Sequence, residues 1–217
     1  MLSLGQKGLL DPTEDNKGRV AVIEFLAPNL PNKGLGSRLC PDGNQGPHFD
    51  ELYESVAELC RAIAGAQLSE QEARQALWQR LLPKIDYGLH TSYFSKKQCK
   101  KMDTSVFGTF LPPMRPNRNT PRAVVHGPTR YGGLELTDTR TRQTQHHVKG
   151  MIKYLRWDQT VGGDILTTLD NIQLASGFVS PLLEVTDKKI DYIDIGWILE
   201  LRQRLDEMGA TMWIEHV

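Results

Sequence analysis

The sequence predicts a mainly α protein, an irregular helical bundle with a short β-hairpin near the N-terminus and a short C-terminal strand. Apolar residues recur at three- and four-residue steps through much of the 217-residue chain, which is the spacing of one helix face. Two Ser-x-x-Glu or Ser-x-x-Gln sequences, which form capping boxes, mark helix starts. Short runs of β-branched and aromatic residues, which predict strands, occur near the two ends of the chain.

The N-terminal part is predicted to contain the hairpin. Residues 1–18 are polar and are expected to be flexible. RVAVIEFLAP (19–28) is β-branched and aromatic and predicts one strand, and LGSRLC (35–40) predicts a second. The Pro-Asn-Lys-Gly sequence between them is the expected bend.

Helices are predicted from about residue 48 onward. Phe49, Leu52, Val56 and Cys60 form one apolar stripe of a helix over 48–66. The next helix starts at a capping box, Ser69 with Glu72, and is predicted to end at Pro83. A second capping box, Ser95 with Gln98, starts a further helix, in which Cys99, Met102, Val106 and Phe110 are expected to face inward.

The remaining helices are predicted from N-cap residues at their starts and from glycines at their ends. Asp138 is the expected N-cap of a helix over 136–158 that Gly162-Gly163 breaks, with Asp164 capping the next helix. Residues 193–209 form an amphipathic helix that stops at Gly209. ATMWIEHV (210–217) is predicted to be a strand, and an edge strand at the last residue suggests that a partner sequence is missing.

The predicted elements divide the chain into four parts. They are a flexible N-terminus (1–18), a hairpin and loop (19–46), a basic helical domain that contains a loop over 114–133 (47–158), and a C-terminal helical region with the terminal strand (159–217). Within the loop, Pro121 and Pro128 fix two bends, and Ala-Val-Val (123–125) is predicted to be extended.

Charge is distributed unevenly although the chain is neutral overall. Residues 90–156 contain thirteen basic and three acidic residues, a net charge of +10, and the remainder carries −10. A basic segment of this size is what a polyanion binder needs. The alternative is a solvated surface that acidic residues elsewhere in the fold neutralise. Lys96, Lys97, Lys100 and Lys101 lie at a helix start, where they oppose the helix dipole, and this suggests that they serve an external ligand.

Sequence motifs for nucleotide binding, metal binding and nucleophilic hydrolysis are absent. The sequence contains no GxxxxGK[ST], GxGxxG, CxxC, HExxH or GxSxG pattern, and His146-His147 are expected to be surface or half-buried rings rather than metal ligands. No two aspartates are adjacent. Three widely spaced cysteines suit a reducing compartment. With no apolar run of roughly 18 residues and no secretory signal, we expect an intracellular protein, cytoplasmic or nuclear, without a membrane span.

Three stretches resemble a known family. SEQEARQALWQRLLPKIDYGLHTSYFSKKQCKKM (69–102), MRPNRNTPRAVVHGPTRYGGLELTDTRTRQTQ (114–145) and IKYLRWDQTVGGDI (152–165) are similar to the region that follows the catalytic palm in reverse transcriptases of non-LTR retrotransposons. FLAPNLPNKGLGSRLCPDG (25–43) is similar to the strand pair after the palm in the same proteins. The specific part is N-R-x-x-P-R-A-V-V-x-G-P-x-x-x-G-G, at residues 117–133.

The resemblance implies a thumb- and connection-like part of an RNA-directed DNA polymerase. Such a part grips the template–primer backbone of an RNA–DNA or DNA duplex and works with a polypeptide that carries palm and fingers. The family's paired catalytic aspartates are absent here, so we expect no activity from this chain alone and no cofactor, because Mg²⁺ would belong to the palm. The expected phosphate-binding residues are Lys96, Lys97, Lys100, Lys101, Arg115, Arg118, Arg122 and Arg130.

Two alternatives remain open. The first is a helical protein-interaction module whose basic and acidic faces bind protein. The second is a DNA strand-exchange enzyme of the tyrosine recombinase type, which Arg122, His126, Arg130 and Tyr131 would serve. The spacing of the second set disagrees with that class, because three residues including Pro128 separate the histidine from the second arginine and the tyrosine follows at once.

Overall fold

The computed structural model describes residues 27–34, 37–90, 92–114, 119–188, 190, 192–193 and 196–214. The chain divides into two compact units, residues 1–44 and 45–217. Its mainly α class, with a two-stranded hairpin near the N-terminus, is confirmed. The α-helices are α1 (Gly46–Gly65), α2 (Glu70–Ala76), α3 (Leu82–Leu89), α4 (Lys96–Phe110), α5 (Arg122–His126), α6 (Thr139–Trp157), α7 (Gln159–Ser176) and α8 (Trp197–Glu207).

The described hairpin of the first unit lies partly in residues that were predicted to form its bend. Strand β1 (Asn32–Gly34) pairs antiparallel with β2 (Ser37–Leu39), with Lys33 opposite Arg38. The sequence predicted instead that 19–28 pairs with 35–40, so the expected bend forms the first strand itself. Only two residues separate β1 from β2, and so short a connection favours local pairing. Residues 19–26 of the predicted strand lie outside the described residues.

The first core of the second unit lies between α1, α3 and α4. The predicted stripe of α1 is confirmed, since Phe49, Leu52, Val56 and Cys60 are all buried. A methyl group added at Gly88 of α3 would lie 2.6 Å from the side chain of Leu52. The two helices therefore pack closely because Gly88 has no side chain.

The prediction that Pro83 ends a helix is wrong. The capping box of Ser69 and Glu72 starts α2 as predicted, but a π-helical turn over Leu77–Leu81 then leads directly into α3. In that turn the amide of Leu82 donates to the carbonyl of Leu77, five residues back. Pro83 lies in the first turn of α3, where its fixed φ suits a helix start and a missing amide is tolerated.

The second core lies between α6, α7 and α8. Asp138 caps α6 as predicted, accepting from the amide of Thr141 at 3.0 Å. The predicted break at Gly162-Gly163 is wrong, because α6 ends at Trp157 and both glycines lie inside α7. A methyl group at Gly162 would lie 2.8 Å from the carbonyl oxygen of Tyr154. The glycine thus permits α7 to approach α6, and does not end a helix.

Asp158 replaces Asp164 as the cap of the helix that follows. It is the C-cap residue of α6, and its carboxylate accepts hydrogen bonds from the amides of Thr160 and Val161 at 3.1 and 3.0 Å, which caps α7. Only one residue therefore joins these helices, and they form an antiparallel pair of sequence neighbours.

The predictions for the C-terminal helix and strand are confirmed only in part. The predicted helix over 193–209 is α8, which starts four residues later, and Gly209 follows it with φ +62°. Residues 211–214 belong to no strand, and the amide of Met212 donates to the carbonyl of Leu183 at 3.0 Å. Residues 215–217 lie outside the described residues. The chain here packs on the second core by this contact instead of joining a sheet.

Two further properties of the described residues bear on the sequence predictions. Cys40, Cys60 and Cys99 are all free and buried. No helix in the described part of the chain is both long and apolar enough to cross a membrane. The boundaries between parts of the chain, predicted at 18/19, 46/47 and 158/159, stay predictions. Helix α6 packs against α3 and α4 as well as against α7 and α8.

Candidate nucleic-acid interface

Helix α4 presents the four predicted lysines from a well-defined start. The Ser95 hydroxyl accepts from the amide of Gln98 at 3.4 Å, and the Gln98 side-chain oxygen accepts from the amide of Ser95 at 2.9 Å. This capping box is confirmed. Cys99 and Met102 are buried on the core side of the same turns. The lysines of the first turns are consequently exposed.

The four lysines form two pairs on different sides of α4. Lys96 and Lys100, one turn apart, line a cleft together with residues of α5, α6 and α8. Lys101 instead lies with its Nζ 4.0 Å from the centroid of the Tyr53 ring, which belongs to α1. Lys97 is exposed and does not line the cleft. The predicted cluster of four amines is therefore divided, and two of them share a concave surface.

Arg122 reaches the same cleft from the predicted loop. Residues 123–125 are helical and not extended, because the carbonyl of Pro121 accepts from the amides of Val124 and Val125 at 2.9 and 3.2 Å and starts α5. The Arg122 guanidinium carbon lies 5.2 Å from the centroid of the Phe107 ring, in α4. This contact places the charge beside the lysines of α4.

The base of α5 is held by the segment that precedes α6. The amides of Leu134 and Leu136 donate to the carbonyls of Val124 and Val125 at 2.9 and 3.0 Å. A ring nitrogen of His126 bonds to the Leu136 carbonyl oxygen, so that ring serves the loop structure. These bonds support the position of Arg122, and they tie the His126 ring to the segment that precedes α6.

We call the cleft between α4, α5, α6 and α8 the basic cleft. Its volume is about 340 Å³. Five lysines and arginines and three carboxylates line it, so their formal charges leave an excess of +2. The charged lining residues are Lys96, Lys100, Arg122, Arg140, Arg204, Asp103, Asp138 and Glu207.

Two arginines of the basic cleft, Arg140 and Arg204, are held by carboxylates of α8. Arg140 Nη1 donates to both oxygens of Glu207, at 2.9 and 2.6 Å, and Nη2 donates to Glu200 at 3.2 Å. Arg204 lies 3.2 Å and Lys96 3.3 Å from the same Glu207 carboxylate. Lys100 and Arg122 form no ion pair within the described part of the chain. Their charges are the ones most available to a ligand.

The acidic groups of the cleft differ in their pKa values. Burial raises the pKa of Asp103, against hydrogen bonds from Thr139 at 2.8 and 2.6 Å that favour the charged form. At Glu207 burial acts in the same direction, but hydrogen bonds and charge attraction from Arg140, together with hydrogen bonds from Lys96 and Arg204, outweigh it, so the pKa of Glu207 is lowered. At Asp138 burial also acts to raise the pKa, but hydrogen bonds from Thr141 and the nearby charge of Arg204 together outweigh it, so the pKa of Asp138 is lowered. Asp138 and Glu207 are accordingly ionised at neutral pH and orient the cations around them.

Lys97, Lys101 and Arg130, the other described residues of the predicted set, do not line the basic cleft. Arg130 is exposed, and its guanidinium carbon lies 4.7 Å from the centroid of the Tyr131 ring. Arg115 and Arg118 lie outside the described residues. Of the eight predicted phosphate-binding residues, the structure therefore brings together Lys96, Lys100 and Arg122.

Part of the basic segment is neutralised inside the fold. Arg142 donates from Nε to one carboxylate oxygen of Asp86 at 2.8 Å and from Nη2 to the other oxygen. Arg140 is buried between Glu200 and Glu207. The alternative interpretation, a charge excess balanced by acids elsewhere, is thus correct for these two arginines. It does not apply to Lys100 and Arg122 among the described residues.

A second cavity was missed by the sequence analysis. We call it the histidine pocket, with a volume of about 430 Å³, and its lining includes His90, His146, His147, Tyr93 and Trp197. The His90 and His146 rings lie 4.3 Å apart, and His147 lies 5.6 Å from Trp197. The sequence signal was limited to the pair His146-His147, since His90 is distant in the chain. No cluster of three or more potential metal ligands occurs among the described residues.

Comparison with known proteins gives no relative. The chain matches no protein-family model, no curated protein and no solved structure.

Proposed function

We propose that the chain binds the phosphate backbone of a nucleic-acid duplex, RNA–DNA or DNA, through the basic cleft. The observation that carries the proposal is the convergence of Lys96, Lys100 and Arg122 on one concave surface. Lys96 and Lys100 come from α4, and Arg122 comes from a helix more than twenty residues further along the chain. Each was expected from the sequence to contact phosphate.

The chemistry of the cleft suits backbone contacts. Ammonium and guanidinium groups bind phosphate oxygens, and such contacts fix position without reading sequence. Carboxylates hold Arg140 and Arg204 in place, so a bound phosphate would meet cations that are already oriented. Lys97, Lys101 and Arg130 lie outside the cleft but are exposed, and they add positive charge to the surface.

We further propose that this chain is the C-terminal, thumb- and connection-like region of a retroelement reverse transcriptase. The resemblance of residues 69–102, 114–145 and 152–165 supports this assignment. The region would grip template and primer without catalysis of its own, and Mg²⁺ would be held by a palm elsewhere. A polypeptide with palm and fingers is then a partner, and the cytoplasm or nucleus is the compartment.

Fluorescence anisotropy with a short labelled RNA–DNA duplex tests the binding proposal. We expect sequence-independent binding that weakens steeply between about 50 and 200 mM salt. The triple variant Lys96→Glu, Lys100→Glu, Arg122→Glu should lose binding at low salt. Charge neutralisation by glutamine at the same three positions should lower the salt slope by about three, one unit for each lost phosphate contact.

The matched control reverses three exposed cations that do not line the cleft, Arg61, Arg80 and Lys84. It changes the net charge by the same amount and should reduce affinity far less than the cleft variant. Equal losses in the two variants would show that binding depends on net charge and not on the cleft. Undetectable binding of the unaltered protein at low salt would remove the proposal.

A protein-interaction module is a second candidate, favoured by exposed apolar side chains. Trp157 is 83% exposed, Leu174 80% and Val179 98%. Large apolar groups in water commonly mark a surface that a partner covers. This candidate would replace the first if the protein proved insensitive to nucleic acid at low salt.

A further inference from the structure

The histidine pocket has the size and lining of a small-molecule site. Its volume, about 430 Å³, falls in the range of about 300–1,000 Å³ that is usual for ligand pockets. Ser92, His147, Met151 and Ile165 are buried at its floor. None of its described lining residues also lines the basic cleft. The pocket is therefore a separate candidate site, to which no role has been assigned above.

Flat rings form much of its lining. Tyr93 and Trp197 are partly buried, and Tyr154 and His90 are exposed at the opening. Aromatic and imidazole rings bind nucleobases by stacking, because every base presents a π face. A pocket with several such rings suits a planar heterocycle better than an aliphatic ligand.

The three histidines offer hydrogen-bond acceptors. His147 Nε2 lies 3.1 Å from the carbonyl oxygen of Ser92, and His90 Nδ1 lies 3.1 Å from that of Asp86. His146 Nε2 lies 3.1 Å from the Asp86 carboxylate. Since these oxygens only accept, the ring nitrogens named here donate. In a neutral ring the second nitrogen is then an acceptor, and none of these has a partner among the described residues.

The rings of His146 and His147 are kept neutral by their surroundings. Burial lowers the pKa of both, against hydrogen bonds to Asp86 and to Ser92 that favour the charged form. Neutral rings preserve the acceptor nitrogens at physiological pH. Acceptors of this kind match the exocyclic amino groups of adenine, cytosine and guanine, which uracil and thymine lack.

Two lysines supply positive charge at the opening. Lys149 and Lys153 lie one turn apart on α6, and both line the pocket and are exposed. None of the described residues that line the pocket carries a carboxylate. An anion attached to a planar ring could thus place the ring inside and its charge at the opening.

We propose that the histidine pocket binds an unpaired nucleotide, with the base among the aromatic and imidazole rings and the phosphate at Lys149 and Lys153. The ligand is either a free mononucleotide or an unpaired nucleotide at the end of a strand. This inference does not depend on duplex binding in the basic cleft. It gives the protein a second nucleic-acid contact that favours amino-bearing bases, which offer two amino hydrogens, over uracil and thymine, which offer only N3–H.

Equilibrium dialysis with AMP and UMP tests the proposal. We expect saturable binding of AMP that is tighter than that of UMP, and weaker binding of ribose 5-phosphate, which has no base. A duplex with one unpaired adenosine compared with a blunt duplex distinguishes the strand end from the free nucleotide as the source. Absence of saturable AMP binding up to about 10 mM, or equal binding of ribose 5-phosphate, would overturn the proposal.

A glycine in the pocket allows it to be filled. Gly150 lines the pocket within α6, and a methyl group there would meet only the Tyr154 ring, at 3.8 Å. Gly150→Leu should therefore occupy the pocket and weaken AMP binding about tenfold or more. Gly163→Leu is the matched control, because Gly163 lies in α7 with nothing within 4 Å of an added methyl group and does not line the pocket.

A second variant covers the case in which Gly150→Leu does not fold. His90→Ala with Tyr154→Ala removes two exposed rings from the opening without changing a buried residue, and it should weaken AMP binding similarly. Unchanged AMP affinity in a folded Gly150→Leu protein or in this double variant would overturn the proposal. The basic-cleft variant should bind AMP normally, and Gly150→Leu should bind blunt duplex normally, so the two proposals fail separately.

Discussion

Arg140 of α6 donates to both carboxylate oxygens of Glu207 in α8, at 2.9 and 2.6 Å. Its side chain is 8% exposed, and Glu200, its other partner, is 12% exposed. Removal of Arg140 would leave Glu200 without the cation that pairs with it, and Glu207 with only Arg204 and Lys96. We expect Arg140→Met to lower the free energy of unfolding by about 3 kcal/mol, which is typical when one partner of a buried ion pair is deleted.

Chemical denaturation of Arg140→Met and of Arg61→Met measures this effect. Arg61 pairs with Glu54 at 2.7 Å, but both side chains are more than half exposed. Its loss should cost less than about 1 kcal/mol. Similar losses in the two variants would contradict the assignment of Arg140 as the buried link between α6 and α8.

Gly162 and Gly163 should respond oppositely to the same substitution. A methyl group at Gly162 would lie 2.8 Å from a backbone oxygen of α6, whereas one at Gly163 would meet nothing within 4 Å. We expect Gly162→Ala to destabilise by about 1–3 kcal/mol through forced separation of the helices. Gly163→Ala should stabilise by about 1 kcal/mol, the difference in helix propensity. Thermal unfolding of both variants gives the comparison, and stabilisation by both would contradict the close approach.

Loss of either capping hydroxyl should weaken the helix that it starts. Ser69→Ala and Ser95→Ala each remove an acceptor for the amide three residues later, in α2 and α4 respectively. We expect each change to cost about 1 kcal/mol in the free energy of unfolding. The controls keep a capping oxygen and should cost less than alanine: Ser95→Asp, and at Ser69 the neutral Ser69→Asn, because Glu72 Oε2 lies 2.6 Å from the Ser69 hydroxyl. Equal costs for the control and for alanine would count against capping by the side chain.

Acidification should destabilise the fold through His147. Burial lowers its pKa below the unperturbed 6.5, although the hydrogen bond to the Ser92 carbonyl acts in the opposite direction. Below pH 6.5 the unfolded chain therefore binds a proton that the folded chain excludes. The free energy of unfolding should fall as the pH drops from 6.5 towards the lowered pKa of the folded state.

Denaturation of His147→Gln at pH 7.5 and pH 5.5 tests the contribution of this ring. Glutamine can keep a donor near Ser92 without titrating, so the fall in stability between the two pH values should be smaller than in the unaltered protein. Burial also lowers the pKa values of His48 and His146, so part of the pH dependence should remain. A pH dependence equal to that of the unaltered protein would contradict this account.

Local signals in the sequence predicted local structure well. The capping boxes at Ser69 and Ser95 and the cap at Asp138 depend on residues three apart, and all three are confirmed. The predictions that Pro83 and Gly162 end helices were wrong. A π-helical turn leads into the helix that Pro83 starts, and Gly162 lies at a close contact between two helices. Both features arise from the packing of whole helices, which local spacing does not report.

The candidate site was predicted only in part for the same reason. Lys96 and Lys100 share a face because they are four residues apart, and their meeting with Arg122 depends on how α5 packs. Arg142 lies 56 residues from Asp86 in the chain, so nothing in the sequence identified it as paired. The histidine pocket likewise needs His90 and His146 to meet across separate helices.

The single residue that joins α6 to α7 has a consequence for the speed of folding. Asp158 ends one helix and caps the next, so these helices are neighbours in sequence and meet with little loss of chain entropy on loop closure. Contacts of this kind form early, whereas α8 must return from almost forty residues away to complete the same core. We expect the α6–α7 hairpin to be structured in the folding transition state before Arg140 meets its carboxylates.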